Sequence, residues 1–209
     1  MRLVLASNNA KKLAELQALL APAGVALVAQ GTLGIDEADE PHHSFIENAL
    51  AKARHAAQRC GGAAIADDSG LCVAALGGAP GVVSAHYAAI ELRDGDREAR
   101  RRAQDAANNA LLLERLNGAA DRRARFVSTL VALRSADDPE PPVAVGRWHG
   151  EILAAPRGSG GFGYDPLMFI PALGRSVAEL DASLKNAHSH RALAAAQMLA
   201  LMREAWPVG

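Results

Sequence analysis

The first third of the chain switches between two hydrophobic periods, and this pattern predicts the order strand, helix, strand. Residues 3–6 form a short apolar run that is typical of a strand. Residues 11–20 carry apolar side chains at positions 13, 16, 19 and 20, the spacing of an amphipathic helix. Pro22 and Gly24 end that helix, and residues 25–29 are predicted to form the second strand.

A second helix is predicted from its start signal. Residues 30–43 are rich in Gly, Asp, Glu and His and are expected to form a loop. Ser44 and Glu47 then form a capping box, which is followed by a helical stripe of apolar residues up to Gly61. Short apolar runs at 63–66 and 71–76 predict two further strands, so that Asp67 and Asp68 are expected at a strand end.

The second half of the chain predicts one long helix, a hairpin and a closing helix. The helix covers residues 97–116, and residues 126–134 and 143–153 form the hairpin around three prolines. A glycine-rich loop follows at 158–165, and the last helix runs to about residue 204. The whole pattern predicts a single α/β domain, a mixed sheet with helices on its faces, whose functional residues lie on loops that leave strand ends.

Composition narrows the class of protein. The 209 residues are 50% hydrophobic and 22% charged with a net charge of -1, which is ordinary for a globular enzyme. The basic segments 93–102 and 122–125 are interleaved with acids, so they are interpreted as solvated surface, and neither a nucleic-acid nor a membrane partner is expected. Cys60 and Cys72 match no zinc or redox spacing, and the N-terminal apolar run is too short for a signal peptide, so a cytoplasmic location is expected.

Two polar stretches are candidates for phosphate and metal chemistry. Between the first strand and helix, small polar residues and lysines could offer amide groups and positive charge to a phosphate, or could simply cap the helix. Asp67 and Asp68, with Asp39 or Glu40 from the preceding loop, could hold a hard cation such as Mg²⁺, or could form an ordinary Asx-type turn.

Two later stretches are candidates for nucleoside recognition. The glycine-rich loop contains Phe162 and Tyr164, and either ring could stack on a base or could anchor the loop in the core. Lys185, His190 and Arg191 supply hydrogen-bond donors near a helix start. On one continuous helix Lys185 and His190 would lie about 140° apart, so either Ser189 starts a new helix or the ligand covers a wide face.

Together these stretches resemble the inosine triphosphate pyrophosphatase family, the non-canonical purine nucleoside triphosphate pyrophosphatases. The resemblance extends from about residue 3 to residue 196. The matching segments, in the family's order, are LASNNAKKLAEL, SFIENALAKARHAA, AIADDSGLCVAALGGAPGVVSAHYA, GGFGYDPLMFIP and AELDASLKNAHSHRALA. The resemblance implies Mg²⁺-dependent hydrolysis of ITP, dITP or XTP to the monophosphate and pyrophosphate. It also implies a homodimer and an elongated mixed sheet flanked by helices, with two lobes around a central cleft.

The resemblance also implies roles for individual residues. Asp68 would be the catalytic base and a metal ligand, Asp39 or Glu40 the second ligand, and Lys12 a catalytic cation. The residues that would contact phosphates or substrate are Ser7, Asn8, Asn9, Ala10, Lys11, Lys12 and Ser69. The residues that would line the nucleoside are Phe162, Gly163, Tyr164, Asp165, Lys185, His190 and Arg191. Donors from the last three suit the 6-oxo group of inosine or xanthine, and a site built on such a bond rejects adenine by about 10⁴-fold or more.

Two features depart from the family pattern, and two rival functions follow from the residues. The loop reads Asp39-Glu40-Pro41-His42-His43 without the usual glycine, and Ser183-Leu184 replaces an acidic pair before Lys185. One rival is a hydrolase for modified pyrimidine nucleotides. The other is a non-enzymatic nucleotide- or RNA-binding module, which the net charge disfavours.

Overall fold

The computed structural model describes residues 1–90 and 96–206, so the predicted basic segment is described only from Asp96 onward. The described strands are β1 (Arg2–Leu5), β2 (Ala26–Ala29), β3 (Ala64–Val73), β4 (Arg123–Leu133), β5 (Val143–Ile152), β6 (Met168–Ile170) and β7 (Arg175–Ser176). The described helices are α1 (Ala10–Leu20), α2 (Phe45–Cys60), α3 (Arg97–Arg115), α4 (Ala182–His188) and α5 (His190–Ala205). No helix within the described ranges is long and apolar enough to cross a membrane.

The strands form one mixed sheet, as the sequence predicted. Its order is β2-β1-β3-β4-β5-β6-β7. β1 pairs in parallel with both β2 and β3, whereas β6 pairs antiparallel with β5 and β7. β4 and β5 are the predicted hairpin, since the backbone bonds Ala132 to Pro142 and Ile152 to Arg122 join them at opposite ends.

The chain divides into two compact units. Unit 1 consists of Met1–Ser69, Val127–Arg147 and the described residues from Asn186 onward. β1 is apolar on both faces, because its alternate residues point to different clusters: Leu3 and Leu5 pack with α1 and α5, whereas Val4 packs with α2. Strands that are buried on both faces are typical of a parallel sheet covered by helices.

Unit 2 consists of the described residues of Gly70–Phe126 together with Trp148–Lys185. Its core is one cluster, in which Leu112 and Leu116 of α3 pack with Trp148, Tyr164 and Leu167. The glycine-rich loop is thus tied to this core through one of its two aromatic residues.

The prediction of a strand break at Asp67 and Asp68 is wrong. β3 is continuous from Ala64 to Val73, and both aspartates lie in its middle, where they are almost completely buried. The strand continues because basic and hydroxyl side chains, described below, compensate the two carboxylates. The predicted strand at 71–76 is the end of β3 followed by a 3₁₀ turn at Ala74–Leu76.

Candidate active site

The stretch between β1 and α1 is a capped helix start. Asn9 is the N-cap, and its side-chain oxygen accepts bonds from the amides of Lys11 at 3.1 Å and Lys12 at 3.2 Å. The amide of Asn9 donates to Ser7 Oγ at 3.1 Å, and Asn8 Oδ1 accepts from Gly31 N at 2.8 Å. The helix cap is therefore present, the lysine side chains carry the positive charge of this segment, and phosphate binding here stays a prediction.

Lys12 contacts Asp67, which is the most heavily compensated carboxylate of unit 1. Its Oδ2 lies 3.1 Å from Lys12 Nζ and 3.1 Å from Arg191 Nε, and its Oδ1 accepts from Ser128 Oγ at 2.7 Å. Burial alone would raise the pKa of Asp67, but the two cations and the Ser128 bond outweigh burial and hold it far below its usual range. Asp67 is therefore a permanent anion that fixes its neighbours.

Arg191 is built into the same network. Its NH1 donates to Glu15 at 2.8 Å and its NH2 donates to Ser69 Oγ at 2.7 Å, in addition to the bond from Nε to Asp67. Its side chain is 4% exposed. Arg191 thus links the start of α5 to α1 and β3 within unit 1, and its guanidinium orients Ser69 as well as Asp67.

Asp68 belongs to a second group of charged side chains, formed with Glu40 and with Lys52, a lysine that was not among the predicted site residues. Lys52 Nζ donates to Asp68 Oδ1 at 2.8 Å and to Glu40 Oε2 at 2.7 Å. Burial raises the pKa of Asp68 to about 6, with the charge of Glu40 adding to the effect and Lys52 opposing it. Burial opposes the charge of both partners of Asp68. The attraction of Asp68 and Glu40 outweighs burial and raises the pKa of Lys52, and the attraction of Lys52 outweighs burial and lowers the pKa of Glu40.

The sequence did contain a signal for Lys52. It lies on α2 between Ala49, Ala53 and Ala56, which are all buried, so a lysine occurs on the apolar face of an amphipathic helix. Lysine is almost never buried unless it has a charged partner. A lysine in the middle of such a stripe therefore predicts a carboxylate opposite it, which the structure identifies as Asp68.

The carboxylates of Asp68 and Glu40 are the candidate ligands of a cation. Asp68 Oδ2 is buried and has no hydrogen-bond partner among residues 1–90 and 96–206, while Glu40 is half-exposed and shares Lys52 with Asp68. Asp39 is exposed in the same loop. In the described ranges no group of three or more His, Cys, Asp or Glu side chains is gathered as for a metal ion. A pair of carboxylates still fits Mg²⁺, which uses one or two carboxylates and takes its other ligands from water and phosphate.

Unit 2 carries the glycine-aromatic loop, where the carboxylate of Asp165 binds two other residues of the candidate nucleoside site. Asp165 Oδ2 accepts from Lys185 Nζ at 2.8 Å and from the amide of Phe162 at 2.9 Å. Lys185 Nζ lies 4.8 Å from the centre of the Phe162 ring, within cation–π range. The predicted residues Phe162, Asp165 and Lys185 therefore do meet.

The two aromatic residues of the loop have different roles. Tyr164 is buried, its hydroxyl donates to Ser84 O at 2.9 Å, and burial raises its pKa. Phe162 is partly exposed. Tyr164 thus anchors the loop in the core, and Phe162 is the ring that a ligand could reach.

His190 lies in unit 1, at the first residue of α5. Ser189 caps this helix by accepting from Ala192 N at 3.1 Å, so a new helix does start here, as one of the two predicted alternatives required. His190 is buried, and its backbone packs directly against Gly146 of β5. A Cβ at position 146 would lie 3.0 Å from the carbonyl carbon of His190, so only glycine lets α5 approach the sheet this closely.

The mixed sheet and its helices define an α/β protein, and this protein carries buried lysine–carboxylate pairs. The sequence pattern of the Ham1 family matches residues 3–201, so the chain belongs to the Ham1 family, and the resemblance inferred from sequence is confirmed. A protein named dITP/XTP pyrophosphatase from Methylibium petroleiphilum is 74% identical over 206 residues, 99% of each chain. Another of that name, from Leptothrix cholodnii, is 73% identical over 209 residues, also 99% of each.

Solved structures agree with this assignment. A HAM1 protein from Coxiella burnetii matches with a TM-score of 0.85 at 41% identity, covering 98% of this chain and 99% of that one. The Ham1 protein from Staphylococcus aureus matches with a TM-score of 0.81 at 33% identity, covering 98% of this chain and all of that one.

Proposed function

We propose that this protein is a nucleoside-triphosphate pyrophosphatase that hydrolyses non-canonical purine nucleotides such as dITP, ITP and XTP to the monophosphate and pyrophosphate. The name shared by its relatives at 73 and 74% identity supports the activity. The observation that carries the chemistry is the contact of Lys52 with both Asp68 and Glu40. Such a group combines a base and a cation, and phosphoanhydride hydrolysis needs both.

Asp68 is proposed as the general base. A pKa of about 6 leaves its carboxylate ionised at neutral pH yet basic enough to accept a proton. Its unpartnered Oδ2 would take the proton from a water molecule as the water oxygen attacks phosphorus and pyrophosphate leaves. Lys52 holds Oδ1 and so fixes the direction of Oδ2.

Asp68 and Glu40 would hold Mg²⁺, with Asp39 of the same loop as the alternative second ligand. When bound, the ion would supply positive charge to the phosphate oxygens. Lys52 would hold Asp68 in place through its bond to Oδ1.

The start of α1 is proposed to bind phosphates. Lys11 and Lys12 supply charge, and Ser7, Asn8, Asn9 and Ala10 form the turn that positions them. Burial lowers the pKa of Lys12, although Asp67 pulls the other way, so this ammonium group gains from an added anion. Ser69 would touch the substrate directly, and Arg191 would act through Ser69 and Asp67.

The nucleoside is proposed to contact Phe162, Gly163 and Lys185, with Asp165 holding the lysine and Tyr164 anchoring the loop. His190 is proposed as a further donor. A lysine ammonium donates to the 6-oxo group of hypoxanthine or xanthine and leaves the 6-amino group of adenine without a partner. This difference would make the site selective for 6-oxo purines.

The cation, assembly and location follow the family resemblance. We expect Mg²⁺ dependence, a homodimer, a cytoplasmic location and no binding of nucleic acid or membrane. Light scattering on the purified protein measures the number of chains, and a monomer would contradict the expected dimer.

A substrate panel tests the proposed function. The purified protein is assayed with Mg²⁺ and each of dITP, XTP, dATP and dUTP, and both pyrophosphate and the nucleotide product are measured. We expect pyrophosphate and monophosphate from dITP and XTP, with dATP and dUTP far slower. Equal rates on all four nucleotides would refute the purine selectivity, and a preference for dUTP would favour the pyrimidine alternative.

A further inference from the structure

Two side chains of α3, one helical turn apart, hold both backbone polar groups of Gly163. The amide of Gly163 donates to Asp105 Oδ2 at 2.9 Å, and Asn109 Nδ2 donates to the Gly163 carbonyl at 2.9 Å. Positions i and i+4 share one face of a helix, so the two side chains form a single clamp. All three residues lie in unit 2.

The clamp fixes the residues on both sides of Gly163. The bonded amide belongs to the peptide that joins Phe162 to Gly163, and the bonded carbonyl to the peptide that joins Gly163 to Tyr164. Gly163 has a φ of 61°, which other residues rarely adopt. Side-chain bonds to both of its peptides therefore determine where the chain enters and leaves the turn, and with it the direction of the Phe162 ring.

Packing alone does not account for these two polar side chains. In this part of the chain the apolar core contacts are made by Leu112 of α3 and by Leu116, which caps the helix, and neither Asp105 nor Asn109 belongs to that cluster. Asn109 Oδ1 is buried and has no hydrogen-bond partner in the part of the chain that the structure describes. A buried acceptor without a partner lowers stability, and an apolar side chain would avoid this loss. The useful atom of Asn109 is thus Nδ2, and its partner is Gly163.

The same loop carries the candidate base contacts. Asp165 Oδ2 binds both the Phe162 amide and Lys185 Nζ, and that ammonium group lies over the Phe162 ring. A shift at Gly163 would move the Phe162 amide away from Asp165 and would change the ring and the lysine together. The position of the clamp therefore controls the geometry of all three residues.

We propose that Asp105 and Asn109 are positioning residues that set the nucleobase selectivity of this enzyme through Gly163. The proposal rests on the proposed function, in which Phe162 and Lys185 contact the base. The two residues touch no substrate themselves, so their loss should weaken recognition of the base more than the chemical step.

The test compares Asp105→Ala with its conservative variant Asp105→Asn. The values of kcat and KM are measured for dITP and dATP. We expect Asp105→Ala to raise KM for dITP about tenfold while kcat changes less than about threefold, and to lower the dITP preference by about tenfold. Asn keeps an acceptor oxygen, so Asp105→Asn should retain most of the selectivity. The control is Glu114→Gln, which removes one negative charge from an exposed position of the same helix and should change neither constant.

Several results would overturn the proposal. One is a fall in kcat at unchanged KM, and another is an equal loss on dITP and dATP, because a purely structural role gives no preference between bases. If circular dichroism shows that Asp105→Ala does not fold, kcat and KM for dITP and dATP are compared in Asn109→Ser instead. Loss of folding in both variants would show that the clamp is structural and would overturn the proposal. A wild-type enzyme with no preference for dITP would refute the proposed base recognition before any variant is compared.

Discussion

Replacing Asp67 by asparagine should destabilise the protein strongly, although the shape of the side chain hardly changes. Its carboxylate is completely buried in unit 1 and lies 3.1 Å from Lys12 Nζ and 3.1 Å from Arg191 Nε. The neutral amide would leave both cations without this counter-charge. Arg191 would keep Glu15, but Lys12 would face the positive charges of Arg191 and Lys52, which already lower its pKa.

The magnitude follows from the two ion pairs. Charges 3.1 Å apart attract by about 5 kcal/mol at an effective dielectric constant of about 20. Much of this attraction offsets the cost of burying the charges, and removal of one partner of a buried pair costs about 3–5 kcal/mol. For a chain of this size the melting temperature should fall by about 6–20 °C.

The neighbouring Asp68→Asn is the matched control for stability. Burial raises the pKa of Asp68 to about 6, so the folded protein binds this proton more tightly than the unfolded chain does. The ionised carboxylate is therefore unfavourable above about pH 6, and the cost disappears as the pH falls below that value. A neutral amide removes this cost while Lys52 keeps its bond to Glu40, so at pH 7 we expect no loss of stability comparable to that of Asp67→Asn.

Urea denaturation at pH 7, followed by circular dichroism, measures both variants under one condition. A loss of less than about 1 kcal/mol in Asp67→Asn would refute the compensation of two cations by one carboxylate. Equal losses in the two variants would refute the different environments of these adjacent residues.

Three further perturbations test other contacts. In the pyrophosphate assay, Lys52→Met should lower activity by at least about 100-fold, because two carboxylates lose their shared cation. The control is Arg54→Met, which changes an exposed residue of the same helix and should retain activity. Gly146→Ala should cost about 1–3 kcal/mol in urea denaturation, since its Cβ would lie 2.6 Å from a backbone nitrogen of α5, whereas Gly62→Ala, with open space around it, should cost far less. Bonds to Arg134 lower the pKa of Asp138 to about 2, so the ionised carboxylate stabilises the fold above about pH 4. The difference in unfolding free energy between wild type and Asp138→Asn should therefore shrink as the pH falls from 5 to 3.

Local signals in the sequence predicted much of the fold. The cap at Ser44 and the hairpin around the prolines depend on residues that are close in sequence, and the structure has both. The new helix after Ser189, which was one of two alternatives, is also present. The mixed sheet followed from the alternation of strands and helices early in the chain. The family followed from five motifs in order, and the match over residues 3–201 confirms it.

The course of β3 could not be predicted because its cause is long-range. Two adjacent aspartates normally indicate a solvated turn, and here they lie inside a buried strand. The negative charges of the two aspartates are balanced by Lys12, Lys52 and Arg191. These basic residues lie 16 to 124 residues away along the chain, on three different helices. Only the folded chain brings those cations to the strand.

Long-range contacts also determine the partners of Arg191, which the sequence could not predict. Its donors suggested a contact with the base, and the structure directs them to Asp67, Ser69 and Glu15. Glu15 and Ser128 gave no signal in the sequence, because a glutamate on a helix and a serine in a strand are ordinary residues.

Pyrophosphate release from dITP by wild type and Asp68→Asn, with Mg²⁺ present and folding checked by circular dichroism, tests most directly whether the buried carboxylate on β3 performs the chemistry. We expect wild type to release pyrophosphate and dIMP in equal amounts and the folded variant to be slower by about 10²–10⁴-fold. A folded Asp68→Asn with activity within about tenfold of wild type would contradict the proposed role of Asp68, and orthophosphate as the first product would contradict the proposed pyrophosphatase activity.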